Sequence, residues 1–208
     1  IGIFVKIGLI SDTHFNSWHT FGQCHENQIS KRLLRQKENF LEAISTFKKE
    51  KVDFVVFGGD WVHQVGSISN EVLNISSGLI QTLPPSLFVV GNHDTPVRTS
   101  PKDHHILTNT LYEFGITCPK DHSKVKLINY YDEVDYDQIK GYDLVTLHKT
   151  PVGSLLGNYR FNDGVNWRKL AANNKFVAFG HIHQMQKLSE NCFIIGSPMP
   201  LGFGEVGN

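Results

Sequence analysis

The sequence predicts a layered α/β fold in which two sheets pack face to face between helices. Three observations lead there. Apolar, β-branched runs alternate with segments of helical spacing in the first half. Each such run ends in a polar turn carrying Asp, Asn or His. The second half supplies short strands that a simple open parallel sheet would leave without a place. The first strand is Val5 to Ile10, stopped by Ser11-Asp12. Ile29 to Glu50 carries Ile29, Leu33, Leu34, Phe40, Leu41, Ile44 and Phe47 on a helical period, with Lys and Arg between them. Asp53 to Phe57 is a buried strand ending in Gly58-Gly59-Asp60. A second helix spans Asn70 to Gln81, with Val72, Leu73, Ile75, Leu79 and Ile80 as its apolar face, and Pro84-Pro85 prevents its continuation. Ser86 to Val90 is the third strand and Gly91-Asn92 the third polar turn. Further strands are expected at Lys124 to Asn129, Asp143 to Leu147, Phe176 to Phe179, Met185 to Leu188 and Cys192 to Ile195. Helices are expected at His104 to Phe114 and Asn166 to Ala171.

Composition narrows the functions available. The chain has 208 residues, 40% of them apolar, and its 20 Lys+Arg balance 20 Asp+Glu. A net charge of zero gives no global drive toward a polyanion or an anionic membrane, so any such site must be local. The longest apolar runs, such as "DFVVF" at Asp53 to Phe57, fall far short of the roughly 18 consecutive apolar residues of a membrane span. Cys24, Cys118 and Cys192 are sparse, odd in number and without a Cys-x-x-Cys pair, which reads as reduced thiols. With no charged leader before the first strand, an intracellular, cytoplasmic protein is expected.

The eleven His direct attention to metals. Asp12-Thr13-His14 follows the first strand, Gly59-Asp60 the second and Gly91-Asn92-His93-Asp94 the third. His148 closes "DLVTLH", and Gly180-His181-Ile182-His183 closes "FVAFG". Each piece alone is an ordinary turn sequence. Together they deliver two Asp, one Asn and four His from five strand ends, where rigid elements fix ligands and leave one side open to substrate. Such a mixed oxygen and nitrogen set suits Mn, Fe or Zn more than Ca, and seven ligands are too many for one tetrahedral site. Two ions about 3.5 to 4 Å apart, sharing a carboxylate, can clamp a phosphoryl group and generate a nucleophile from water. Hydrolysis of a phosphate ester is the reaction implied.

These five blocks, in this order, resemble the calcineurin-like metallophosphoesterases: Asp-x-His, Gly-Asp, Gly-Asn-His-Asp, a lone His and Gly-His-x-His, over Lys6 to about Glu205. The resemblance implies a four-layer αββα sandwich. By motif position it implies Asp12, His14, Asp60 and His183 around one ion, and Asp60, Asn92, His148 and His181 around the other, with Asp60 as the bridge. Manganese is the expected ion, with Fe, Zn or Mg as alternatives.

Finer features resemble the SbcD-type nuclease subunit of DNA repair. "GGDWVHQVG" places His63 three residues after Asp60. "GHIHQMQ" followed by "IIGSPMPLGFGE" matches that subfamily's Gly-His-x-His-x-x-Gln and Gly-Ser-Pro segments, and "SDTHFNSWHTFG" is similar to phage members. The likeness implies a 3′-to-5′ exonuclease with single-strand endonuclease activity. In it His93 would contact the scissile phosphate or protonate the leaving 3′ oxygen, His63 would position His93 or the backbone, and Asp94 would support the acid form of His93. DNA, an SbcC-like ATPase of the SMC kind and possible homodimerisation are the implied partners, in the host cytoplasm if the gene is a phage's. Cellular relatives continue into a DNA-capping domain. Here a single nuclease domain over residues 1–208 without a cap is expected.

Local cations Arg98, Lys102, Lys149, Arg160, Arg168 and Lys169 follow the metal motifs, and Phe15, Trp18, Tyr159 and Phe161 are candidates to stack on bases, although core packing suits the aromatics better. Two other functions remain open. A small-molecule phosphodiesterase or phosphomonoesterase would use nearly the same motifs. An inactive metal-bound scaffold would be expected to lack a ligand.

Overall fold

Strand β2 (Phe54–Phe57) is buried along its whole length because both of its faces are covered. In the computed structural model, which describes residues 5–17, 29–64, 67–95 and 122–201, it lies at the centre of a parallel three-stranded sheet between β1 (Ile7–Ile10) and β3 (Ser86–Phe88). Successive side chains of a strand point to opposite faces. Val55 and Phe57 accordingly pack with Leu33, Phe40 and Ile44 of α1 (Lys31–Lys49) and Val72 and Leu79 of α2 (Asn70–Ile80). Phe54 and Val56 turn the other way, toward a second sheet.

That second sheet has the order β4-β5-β8-β10-β9 and is parallel except for its last pair. Its strands are β4 (Val125–Ile128), β5 (Leu144–His148), β8 (Phe176–Gly180), β9 (Gln186–Ser189) and β10 (Cys192–Ile194). The same alternation sends Leu144 and Ala178 inward against Phe54, Val56 and Leu87, while Val145, Leu147, Val177 and Phe179 face Leu170 and Trp167 of α3 (Trp167–Asn173). The described elements form helix, sheet, sheet and helix layers, the predicted four-layer sandwich.

Local chemistry sets the ends of the helices. Ser30 Oγ accepts from Leu33 N at 3.4 Å, Ser69 Oγ from Val72 N at 3.3 Å and Asn166 Oδ1 from Lys169 N at 3.4 Å. Each satisfies a first-turn N–H that has no partner within its helix. Lys48 and Lys49 occupy the last turn of α1, where the helix dipole favours cations.

The third strand ends at Phe88, two residues before the Val90 that the sequence predicts, because Val90 N already bonds to the Asn129 side chain at 2.9 Å. An unforeseen hairpin, β6 (Leu155–Leu156) and β7 (Tyr159–Arg160), turns at Gly157-Asn158. A two-residue turn with Gly157 at φ 56° is a standard hairpin signal that two-residue strands conceal. Cys192 is buried and free, and burial pushes its thiol up to about 12. Cys24, Cys118 and the expected helix at His104 to Phe114 lie outside the described residues, as do Trp18, Arg98 and Lys102. Among the described residues no helix is long and apolar enough to cross a membrane.

Candidate metal centre

All seven expected ligand residues lie at or just beyond strand ends on one side of the two sheets, and both sheets contribute. Asp12, His14, Asp60 and Asn92 come from the first sheet, and His148, His181 and His183 from the second. The chain bends sharply to bring them inward. Asp12 (φ 54°), His14 (φ 46°), Asp60 (φ 59°) and His181 (φ 83°) all occupy the left-handed region that side chains other than Gly rarely adopt. Such conformations cost of order 1–3 kcal/mol each and cluster at functional sites.

The glycines of the motifs clear space for this convergence. A Cβ on Gly180 would lie 2.3 Å from the Gly58 carbonyl and 2.9 Å from His148 Nδ1. On Gly59, itself at φ 102°, it would meet His148 Nδ1 at 2.4 Å, and on Gly91 it would meet Asp60 Oδ1 at 2.1 Å. The glycines of Gly-Asp and Gly-His-x-His therefore let the two sheets close around the ligands, and that of Gly-Asn-His-Asp lets its loop close on Asp60.

Asp60 is the centre. Its Oδ2 lies 3.3 Å from His14 Nε2 and 3.2 Å from His148 Nε2, while its Oδ1 accepts from His93 N at 2.9 Å. On the His14 side, His14 Nε2 is 3.1 Å from His183 Nε2, and Asp12 Oδ1 is 3.9 Å from His14 Nε2 and 3.8 Å from His183 Nε2. On the His148 side, Asn92 Oδ1 is 3.2 Å from His148 Nε2 and 3.0 Å from His181 Nδ1. Asp12, His14 and His183 thus gather as one potential metal group, and Asp60, His148 and His181 as another. One Asp60 oxygen lies between the two groups.

The donor chemistry fits two divalent cations. A metal ligand must be deprotonated; burial lowers the pKa of His14, and burial together with the neighbouring His148 lowers that of His181 to about 4. Burial opposes the charge on His148, but the Asp60 carboxylate lifts this ring to about 9. Burial likewise opposes the charge on Asp60, yet His148 and His14 hold its carboxyl well below the usual range. Without metal, a proton on His148 balances the buried carboxylate, and a cation can replace it. His148 Nδ1–H donates to the Gly58 carbonyl at 2.7 Å, which directs Nε2 at Asp60 and Asn92. Fixing a ligand imidazole through its other nitrogen is how proteins orient metal-binding His.

His63 serves His14 in the same way. Its Nδ1 lies 3.2 Å from His14 Nδ1, so the ring that offers Nε2 to a metal can donate Nδ1–H to His63. Burial, with His14 and His93 beside it, lowers His63 to about 4 and keeps it neutral as an acceptor. The His63 ring stacks on His93 at 5.3 Å and 22°, and the His63 carbonyl accepts from His93 Nδ1. His93 is thereby held edge-on to His14, with ring centres 4.7 Å apart. His14, His63 and His93 form a third close group.

Asp94 occupies a different place from the one the sequence suggests. Its carboxylate accepts from Asp60 N at 2.7 Å, Gly91 N at 2.8 Å and Trp61 N at 2.8 Å. It ties together the loops that carry Asp60 and Asn92 and is a positioning residue, not the carboxylate partner of the His93 ring. Lys149 Nζ turns to the Tyr130 carbonyl, and Phe15 is wholly buried against Phe40 and Trp61. Phe15 is therefore core and cannot stack on a base.

Two contributors escape the sequence reading. Tyr130 lies 5.3 Å from His181, ring to ring, in the polar turn after β4. It obeys the same strand-then-turn rule as the ligands. Gln36, buried on the apolar face of α1, donates from Nε2 to the Thr13 and His14 carbonyls at 3.0 and 2.7 Å. A lone Gln between Leu33 and Phe40 on that face was its signal. Beyond β10, Ser197 N donates to the His183 carbonyl at 2.9 Å, and Asn39 Nδ2 and Arg32 reach the carbonyls of Pro198, Pro200 and Leu201. The Gly-Ser-Pro segment therefore braces the His183 loop against α1. Residues 202–208, which include the Phe-Gly-Glu of that segment, lie outside the described residues.

Comparison with known proteins agrees with this geometry. The sequence pattern of the calcineurin-like phosphoesterase family matches residues 5–185. Among similar proteins, "Putative phosphoesterase 244L" of Invertebrate iridescent virus 6 is 23% identical over 174 residues, covering 74% of this chain and 61% of that protein. "Putative phosphoesterase 078R" of Invertebrate iridescent virus 3 is 24% identical over 188 residues, covering 80% of this chain and 53% of that protein. The chain thus spans between half and two thirds of the length of these relatives.

Proposed function

The chain belongs to the calcineurin-like phosphoesterase family, and from that premise we propose that it is a two-metal DNA phosphodiesterase, a 3′-to-5′ exonuclease that also cuts single strands in repair or recombination. The observation that carries the nuclease reading is the His63–His93 pair beside the bridging Asp60. A sugar oxygen is a poor leaving group without a proton, and a positioned imidazole near neutral pH supplies one. With Nδ1–H bound to the His63 carbonyl, His93 keeps Nε2 for the substrate.

The remaining groups have roles set by where they sit. Asp12, His14, Asp60 and His183 would hold one divalent ion, and Asp60, Asn92, His148 and His181 the other. Manganese is the expected ion at both. When bound, the pair would neutralise the phosphate and lower the pKa of attacking water. Asp94 and Gln36 hold the ligand loops in their strained turns, and Tyr130 walls the His148 and His181 side. The two viral relatives named as phosphoesterases are in keeping with phosphate-ester hydrolysis. The SbcD-like spacing of His63 and of Gln186 extends the proposal to a cytoplasmic site of action, an SMC-like ATPase partner and a homodimer.

The test is Mn-dependent digestion of 3′- and 5′-labelled single- and double-stranded DNA, run beside bis-p-nitrophenyl phosphate with Asp60→Ala as control. Cleavage of DNA that disappears in the variant supports the reading. Hydrolysis of the small diester with intact DNA refutes it in favour of a small-molecule esterase.

A further inference from the structure

His14 presents both of its ring nitrogens to other imidazoles, although a ligand of one ion needs only one. Its Nε2 faces His183 Nε2 at 3.1 Å within the first ligand group, and its Nδ1 faces His63 Nδ1 at 3.2 Å outside that group. Two imidazole nitrogens bound to one tetrahedral zinc at about 2.0–2.1 Å each lie about 3.3–3.4 Å apart. Both contacts come close to that spacing. One proton joins His14 Nδ1 to His63 Nδ1 in the absence of metal, and a cation can take its place.

His93 extends this pair to three. One ring nitrogen of each of His14, His63 and His93 lies within 4.8 Å of those of the other two. His93 commits Nδ1 to the His63 carbonyl, which leaves Nε2 as its donor to a cation. The rings hold one another in place: His63 stacks on His93 at 5.3 Å, and His14 meets them edge-on at 5.2 and 4.7 Å. His14 is buried, whereas His63 and His93 are half-buried and give the group its access to solvent.

The donors of this group also differ in kind. The two ion positions around Asp60 combine imidazole with carboxylate or amide oxygen from Asp12, Asp60 and Asn92, whereas the third group is imidazole alone. Oxygen donors suit manganese and imidazole suits zinc. Three imidazoles with water in the fourth tetrahedral position is an arrangement that zinc adopts.

We propose that His14, His63 and His93 form a third divalent-cation site, selective for zinc over manganese, beside the two-metal centre. When zinc binds, the Nδ1 proton of His14 passes to solvent and the ring serves one ion through each nitrogen. His63 and His93 contribute lone pairs and lose no proton. Zinc on His93 also occupies the atom that would otherwise hand a proton to a leaving group, so excess zinc would inhibit. The proposal rests on the two-metal reading above and adds an ion that this reading does not contain.

The test is equilibrium dialysis of the full chain against zinc or manganese, with bound metal counted by elemental analysis. The parent should take up three zinc ions per chain but only two manganese ions. His63→Ala/His93→Ala should bind two zinc ions, those that Asp60 joins. His93→Gln alone, which leaves the His14–His63 contact in place, should weaken the third step at least about tenfold, as changes around metal sites commonly do. His122→Ala removes an exposed imidazole away from the centre and should keep all three. Thermal unfolding midpoints show that each variant is folded. Two zinc ions in the parent, a third zinc that persists in the double variant or disappears with His122, or a third manganese ion would overturn the site while leaving the two-metal reading intact. Fewer than two ions of either metal in the parent would overturn both.

Discussion

Asp94→Ala separates the role that geometry gives this residue from the one its place in the motif suggests. Three backbone N–H groups, from Asp60, Trp61 and Gly91, converge on the carboxylate at 2.7–2.8 Å within a buried pocket. A hydrogen bond to a charged group contributes about 1.5–3 kcal/mol, and each donor left unsatisfied in the interior costs a further 1–3 kcal/mol. Three such contacts do not add independently. The three neutral N–H donors left without a partner set the scale, and a loss of about 3–5 kcal/mol is expected. Because two of the donors belong to Asp60 and to the glycine before Asn92, metal affinity should fall by a factor of about 10–100, as for other outer-shell partners. Asp94→Asn retains one acceptor oxygen but turns an NH₂ toward a backbone N–H, so its losses should be intermediate. Urea unfolding gives stability, and calorimetric titration with Mn gives affinity. If instead Asp94→Ala kept parental stability and Mn affinity while moving the pH limb of turnover, the positioning role would be wrong and Asp94 would be the partner of His93.

Three further outcomes are expected. His93→Ala should retain both ions by calorimetry but lose 10² to 10⁴-fold in turnover on DNA, the usual contribution of a general acid, with a smaller loss on a diester whose leaving group needs no proton. In the metal-free protein His148, raised from 6.5 to about 9 by Asp60, contributes stability that is complete below pH 6.5 and lost as pH rises through 9. The loss is roughly 3 kcal/mol at 1.36 kcal/mol per pH unit, and thermal unfolding from pH 6 to 10 should show it, with saturating Mn flattening the slope. Gly91→Ala, whose new methyl would sit 2.1 Å from Asp60 Oδ1, should abolish high-affinity binding of both ions, as measured by the same titration.

The convergence of the candidate ligands was legible because their signal is local. A buried strand followed by a polar turn is visible in the sequence wherever it occurs, and five such junctions carried the Asp, Asn and His of the centre. Tyr130 followed the same rule and was missed because Tyr at a turn has too many ordinary uses. What a local signal cannot carry is the direction in which a side chain points. Asp94 follows His93 directly, which suggested a pair, but the loop sends His93 toward the His63 carbonyl and Asp94 back to the backbone of Asp60. The hairpin was hidden for another reason. Its two-residue strands are too short for any periodicity, and what holds it in place is a side chain thirty-one residues away, Gln186.

The same distinction explains why this site needs the sandwich. Asp12, His14 and Asp60 belong to one sheet and their fourth partner, His183, to the other. Asp60 and Asn92 belong to the first and their partners, His148 and His181, to the second. Each prospective ion therefore takes ligands across the seam between sheets, and loading the centre fastens two layers that otherwise meet through apolar contacts such as Phe54, Val56, Leu144 and Ala178. The seam can close only where side chains are absent, at Gly58, Gly59 and Gly180, with His148 Nδ1–H bonded to the Gly58 carbonyl across it. The glycines of the motifs and the ligands that follow them are parts of one device. The first let the sheets approach, and the second exploit that approach to offer two prospective cations four imidazoles and a shared carboxylate.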